Sequence, residues 1–247
     1  METTPRIILK DAAFGYTKNG QDQLVLQDLS FSIRVGEFTG IVGLNGVGKS
    51  TFLRTLSGLL PLKHGEFILN SRSIHSYSTN ELAREIAIVL TERVGGFNLS
   101  TFDAVAAGQM PYTDAFNRLK PENKAVINEA MRQCGITNHA HKALTELSDG
   151  MFQKTMIAKA LAQQTPVLLL DEPSAYLDYA SKHELFILLK KLAAEDKKTV
   201  LVSSHDLDLV LKYCSKILVF SDRHAELLDV SEAKQHPGFL HIGGGHI

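Results

Sequence analysis

The chain has 247 residues, 44% hydrophobic and 21% charged, with a formal net charge of -1. Such a chain can bury a substantial core as one large α/β domain or two small ones. Its balanced charge gives no electrostatic reason to expect a nucleic acid or an anionic membrane surface as partner.

No apolar stretch approaches the roughly 20 residues of a spanning helix, and the N-terminus, METTPRIILKD, lacks a secretory pattern. Cys134 and Cys214 have no metal-ligand spacing, so both are expected as reduced, buried thiols of a cytoplasmic protein. Alternating apolar residues over Ile7–Leu9, and over Leu29, Phe31 and Ile33, predict strands of an antiparallel flank. Phe67–Leu69 continues it after a turn at His64-Gly65.

Between these strands an apolar run (Phe38, Ile41, Val42) enters GLNGVGKST, Gly43 to Thr51. The segment fits G-x-x-x-x-G-K-[ST] at Gly43, Gly48, Lys49 and Ser50. Leu44, Asn45, Gly46 and Val47 complete a turn whose backbone N–H groups point at one anion. Gly43, Gly46 and Gly48 let the backbone come close, and Lys49 reaches the terminal phosphates. Ser50 supplies a hydroxyl suited to Mg2+, and Thr51 ends the phosphate-binding segment, with a helix following Lys49. That helix carries Phe52, Leu53, Leu56 and Leu59 at helical spacing and ends at Gly58 and Pro61. Ser78-Thr79-Asn80-Glu81 fits a capping box for a helix running toward Glu85. Ile86–Leu90 reads as a short buried strand.

From Gly95 to about Glu146 the character changes, and segments around Thr101–Gly108 and Glu122–Cys134 look helical. Residues 1–94 and 165–247 are assigned to an α/β core with a β flank, and 95–164 to an inserted helical subdomain. Leu147-Ser148-Asp149-Gly150-Met151 opens a helix that continues through Leu161. Its serine and glycine make either a second anion site or a plain N-cap. Val167–Leu170 and Thr199–Ser203 have the continuous apolar character of doubly covered parallel strands. The amphipathic stretch Ser181–Ala194 between them completes a βαβ unit.

Asp171 and Glu172 follow the first of these strands, at the sheet edge where ligands sit in open α/β folds. Asp171 is the candidate to hold Mg2+, and Glu172 to orient and deprotonate an attacking water. His205, in VSSHD after the second strand, can reach the terminal phosphate and align the water with Glu172. Ile217–Phe220 and Ala225–Val230 form a terminal hairpin. The tail HPGFLHIGGGHI is expected to be a flexible end.

The order of these motifs resembles the ATPase subunit of an ATP-binding cassette transporter, from Tyr16 to about Val230. The resemblance implies an α/β fold: a P-loop NTPase core with a mixed, mainly parallel sheet, an antiparallel β flank and an inserted helical subdomain. Tyr16, in FGYTKNG, resembles the aromatic residue on which that family stacks adenine, although a half-buried strand aromatic is the other reading. Ser148, Asp149, Gly150 and Met151 resemble the LSGGQ signature. Ser174 to Asp178 resembles the loop after the base, in which Asp178 crosses a subunit boundary. His205 matches the switch histidine.

The resemblance also implies ATP and Mg2+ as ligands and a head-to-tail dimer. In that dimer the phosphate loop, Asp171, Glu172 and His205 of one chain meet Ser148 and Gly150 of the other. Its implied partners are transmembrane permease subunits and, through them, a substrate-binding protein. The chain would then be peripheral on the inner face of the membrane. The runs LAREIAIVL and NLSTFDAVAAGQMPYTDAF are similar to ATPases of iron–siderophore, haem and cobalamin importers.

Two positions depart from the family pattern. Thr91-Glu92 stands where the family places a glutamine that touches Mg2+, and LSDGM puts Asp149 and Met151 in place of Gly and Gln. Two alternatives remain open at this point. One is a non-transport single-cassette ATPase of the iron–sulfur assembly type. The other is an ATP-binding regulatory module impaired in hydrolysis.

Overall fold

The computed structural model describes residues 4–91, 99–113 and 118–243. Two sheets carry the fold. The first, an antiparallel sheet in the order β2-β1-β4-β5, is built from β1 (Pro5–Lys18), β2 (Gln21–Arg34), β4 (His64–Leu69) and β5 (Arg72–Ser73). His64-Gly65 is therefore not a turn but the start of β4, pairing back onto Ala13 of β1.

The second sheet has the order β10-β9-β3-β8-β7-β6. Its strands are β3 (Phe38–Gly43), β6 (Ile86–Val89), β7 (Val167–Leu170), β8 (Thr199–Ser203), β9 (Lys216–Ser221) and β10 (His224–Asp229). All neighbours in it are parallel except β9 and β10, which form the expected antiparallel hairpin.

The apolar runs of this sheet divide by residue parity, because successive side chains of a strand point to opposite faces. Val42, Leu168, Leu170, Val200, Val202, Ile217 and Val219 join one core with the helices. Ile41, Val167, Leu169, Leu201, Leu218 and Phe220 join a second core, with α1 (Lys49–Leu56) and the antiparallel sheet. Both faces are covered, which is why these strands read as continuous apolar segments rather than alternating ones. Phe52 of α1 anchors the second core, with its ring centroid 5.0 Å from that of Phe14 and 5.4 Å from that of Phe220.

Most of the remaining helices cover the other face, while Leu82 of the helix after β5 packs with the second core. The capping box at Ser78 and Glu81 starts α2 (Thr79–Glu85), and it holds the Glu81 carboxyl down at about 2. Next come α3 (Thr101–Ala106), α4 (Pro121–Gln133) and α5 (Asp149–Ala162), which pack on one another. α6 (Tyr179–Ala194) and α7 (Leu207–Tyr213) follow β7 and β8.

The tail departs from expectation. α8 (Val230–Ala233) and α9 (Pro237–Ile242) follow β10, and Phe239 of α9 is fully buried beside β3 and β9. A ring at that position fills the main core, so 237–242 is packed structure rather than a loose end. Both thiols are free; Cys214 is buried, whereas Cys134 is only half-buried.

Candidate active site

Strands β3, β6, β7 and β8 run parallel, so their C-terminal ends share one edge of the sheet. From that edge leave the phosphate loop after β3, Thr91 after β6, Asp171 and Glu172 after β7, and His205 after β8. Tyr16, Val25, Asn45, Gly46, Gly48, Lys49, Ser50, Thr51, Asp171, Glu172 and His205 line one pocket of about 330 Å³. The sequence reading thus proposed ten of these eleven positions; Val25, from β2, is the one it missed.

The loop is shaped by its glycines. Gly46 has φ +77° and Gly48 φ +113°, conformations that side chains with a Cβ resist. Lys49 is buried at 7% exposure and donates from Nζ to the carbonyl of Gly43 at 2.7 Å and of Leu44 at 3.3 Å. Burial pushes its ammonium below the ordinary lysine range, and the nearby charges of Glu172 and Asp171 oppose that shift. Leu44, Asn45 and Gly46 are exposed, whereas Val47 packs against the second core.

Asp171 is nearly fully buried, and its main-chain N–H donates to Val89 O at 2.8 Å. Burial pushes the carboxyl of Glu172 above the usual carboxylate range, opposed chiefly by His205 and then by Lys49. Nε2 of His205 lies 3.2 Å from Oε1 of Glu172, an ion-pair distance. The His205 main-chain N–H also donates to Glu172 Oε2 at 3.3 Å. Acid, histidine and lysine therefore converge at one mouth, with Tyr16 offering a 41% exposed ring on the rim.

The other predicted residues lie elsewhere. Ser148 caps α5, its hydroxyl accepting from Met151 N at 3.4 Å, and neither it nor Asp149, Gly150 or Met151 lines the pocket. Asp178 caps α6 by accepting from Ser181 N at 2.8 Å, and that bond lowers its carboxyl. The hydroxyl of Thr91 donates to the main-chain oxygen of Asp171 at 2.9 Å, so it is engaged by protein rather than turned to the pocket. Glu92 lies outside the described residues.

Ser203 was passed over in the sequence. Its hydroxyl donates to Asp171 Oδ1 at 2.7 Å and accepts from Glu172 N at 2.9 Å. The doubled serine of VSSHD was the available signal.

A family model described as ABC transporter matches residues 26–175. An uncharacterised ABC transporter ATP-binding protein of Methanocaldococcus jannaschii is 43% identical over 81% of this chain and 69% of its own length. The ferric enterobactin transport ATP-binding protein FepC of Escherichia coli is 34% identical over 90% of this chain and 80% of its own. A solved dimeric ATP-binding cassette, in a post-hydrolysis state bound to ADP and Pi, superposes with a TM-score of 0.80 at 26% identity. That match covers 91% of this chain and 98% of the other.

Proposed function

The chain belongs to the ABC transporter family as an ATP-binding, ATP-hydrolysing subunit, and from that premise we propose that it powers a membrane importer. The proposed cargo class is iron–siderophore, haem or cobalamin-type, supported by the likeness to a ferric enterobactin transport ATP-binding protein. One observation carries the mechanism. A single chain gathers the phosphate loop, Tyr16, Asp171, Glu172 and His205 around one pocket, and leaves Ser148 and Gly150 outside it. A second copy in head-to-tail orientation supplies those two groups, as the dimeric cassette with ADP and Pi supports.

In this reading Tyr16 stacks on adenine, and the N–H groups from Gly43 to Thr51 with Lys49 hold the phosphates. Glu172 takes a proton from a water in line with the terminal phosphorus. Burial raises its proton affinity above that of an ordinary carboxylate, which strengthens it as a base. His205 fixes the carboxylate and faces the terminal phosphate. The dipole at the start of α5 of the second copy offsets charge developing on the γ-phosphoryl group.

Ser50 and Asp171 are hard oxygen donors on the pocket wall, a donor set that fits Mg2+. When bound there, the ion would offset the negative charge of the β- and γ-phosphates. Hydrolysis and release of product would then reopen the dimer. Permease subunits would receive that motion, with a substrate-binding protein reached through them. The chain itself would sit on the inner face of the membrane, bound to those subunits; no helix among the described residues is long and apolar enough to cross one.

Purification of the tagged chain from membranes, with identification of associated chains and bound ligand, tests the proposal. Permease subunits carrying an iron chelate, haem or corrinoid are expected. A soluble scaffold complex in their place would favour the iron–sulfur assembly class and overturn the importer reading.

A further inference from the structure

We propose that Ser203 is a positioning residue for hydrolysis, its hydroxyl holding the Asp171–Glu172 pair in the backbone conformation that aims Glu172 into the pocket. This rests on Glu172 acting as the base.

Leu170 of β7 is paired with Val202 of β8, so the next residues, Asp171 and Ser203, stand side by side at the sheet edge. Ser203 is fully buried, and its one hydroxyl serves two partners, donating to Asp171 Oδ1 at 2.7 Å and accepting from Glu172 N at 2.9 Å. The Thr91 hydroxyl and the Val89 carbonyl hold the main chain of Asp171 from the other side.

Glu172 has φ +47°, left-handed backbone that a glutamate rarely adopts. Such strain persists only where surrounding contacts over-determine it. The main chain of Glu172 is held on its two sides, by the bond from its N–H to Ser203 and by the bond from Ala175 N to its carbonyl at 3.2 Å. Replacing Ser203 by alanine leaves that part-buried N–H without its acceptor and frees Asp171 Oδ1 at the same time. Glu172 can then relax toward ordinary φ, and its carboxylate swings away from His205 Nε2. Nothing in this change touches the phosphate loop or Tyr16.

A purely structural serine would lower stability and nucleotide affinity along with turnover. A positioning serine lowers kcat and spares affinity.

The test compares the full wild-type chain with Ser203→Ala, Ser203→Val and Ser203→Thr. It measures steady-state ATP hydrolysis, fluorescent-nucleotide affinity and melting temperature. Valine and threonine share a shape and differ in the hydroxyl, which separates packing from hydrogen bonding. We expect Ala and Val to lose roughly 10- to 100-fold in kcat with nucleotide Kd unchanged, as sub-ångström misplacement of a reacting group costs. Thr should stay within about threefold of wild type on the same scale.

Wild-type turnover in Ser203→Ala, or a loss of affinity matching the loss of kcat, would overturn the inference. So would a Thr variant as slow as Val. Glu172→Gln, run alongside, keeps the two claims apart. Full turnover in that variant removes the premise that Glu172 is the base. An inactive Glu172→Gln beside a fully active Ser203→Ala removes only the role of Ser203.

Discussion

Gly48→Ala probes the phosphate loop at its tightest point. Gly48 has φ +113°, and a Cβ built on it would lie 2.5 Å from Val25 Cγ1, with Leu26 Cγ at 3.4 Å. The backbone conformation costs an L-residue about 1–2 kcal/mol. Displacing Val25 from a packed position adds roughly 1–3 kcal/mol. The total, about 2–5 kcal/mol, is a large part of the roughly 5–15 kcal/mol that holds a domain folded.

The loop is the part able to yield, so the cost should appear as weakened nucleotide binding, between about 30-fold and several thousand-fold. Gly46→Ala is the control. It also has positive φ, +77°, but a Cβ there meets nothing within 4 Å. It should therefore show only the backbone part, roughly 5- to 30-fold. Adding Val25→Ala to Gly48→Ala should recover the packing part and leave the backbone part, a coupling that a double-mutant cycle reads directly. Fluorescent-nucleotide titration with parallel thermal melts measures both. Wild-type affinity and an unchanged melting temperature in Gly48→Ala would refute the reasoning, as would no recovery in the double variant.

Three further outcomes follow from the geometry. Burial raises the Glu172 carboxyl above its ordinary value, so its contribution to stability is complete at low pH and is lost as pH rises through the folded-state value. Glu172→Gln should accordingly melt higher than wild type at neutral pH, with the gap closing as the pH falls below the ordinary glutamate range; calorimetry across pH checks this. Asp149 opens α5, where a negative charge favours the helix but would repel a neighbouring chain's phosphates. Asp149→Asn should thus tighten ATP-driven dimerisation, most at low salt, while slightly lowering the melting temperature of the monomer. Ser78→Ala removes one half of the capping box and should cost about 1 kcal/mol in denaturant unfolding, with ATP turnover unchanged.

What was legible in the sequence was local. The phosphate loop is nine consecutive residues whose glycines, lysine and serine state their own geometry. Asp171, Glu172 and His205 follow apolar strands directly, and parallel strands bring such ends to one edge. The capping box at Ser78 and Glu81 is likewise written within four residues.

The rest depended on pairing between distant segments. Ser203 reaches Asp171 only because β7 and β8 lie side by side in one register, which neither strand specifies alone. Val25 enters the pocket because β2 passes the phosphate loop, which lies well beyond it in the chain. The 237–242 helix looked unstructured because its Gly and His are poor helix formers. Burial of Phe239 in the main core outweighs that preference. Positive φ at Glu172 has no sequence signal, since a glutamate does not choose it; the hydrogen bonds around it do.

Whether ATP joins two chains through Ser148 decides the proposed mechanism most directly. The measurement is sedimentation of the Glu172→Gln chain, with and without a Ser148→Arg substitution, in the presence of ATP or ADP. The expected result is a dimer for Glu172→Gln with ATP, a monomer with ADP, and a monomer for the double variant that still binds ATP with unchanged affinity. Glu172→Gln remaining monomeric in saturating ATP, or dimerising equally well with Ser148 replaced, would contradict it.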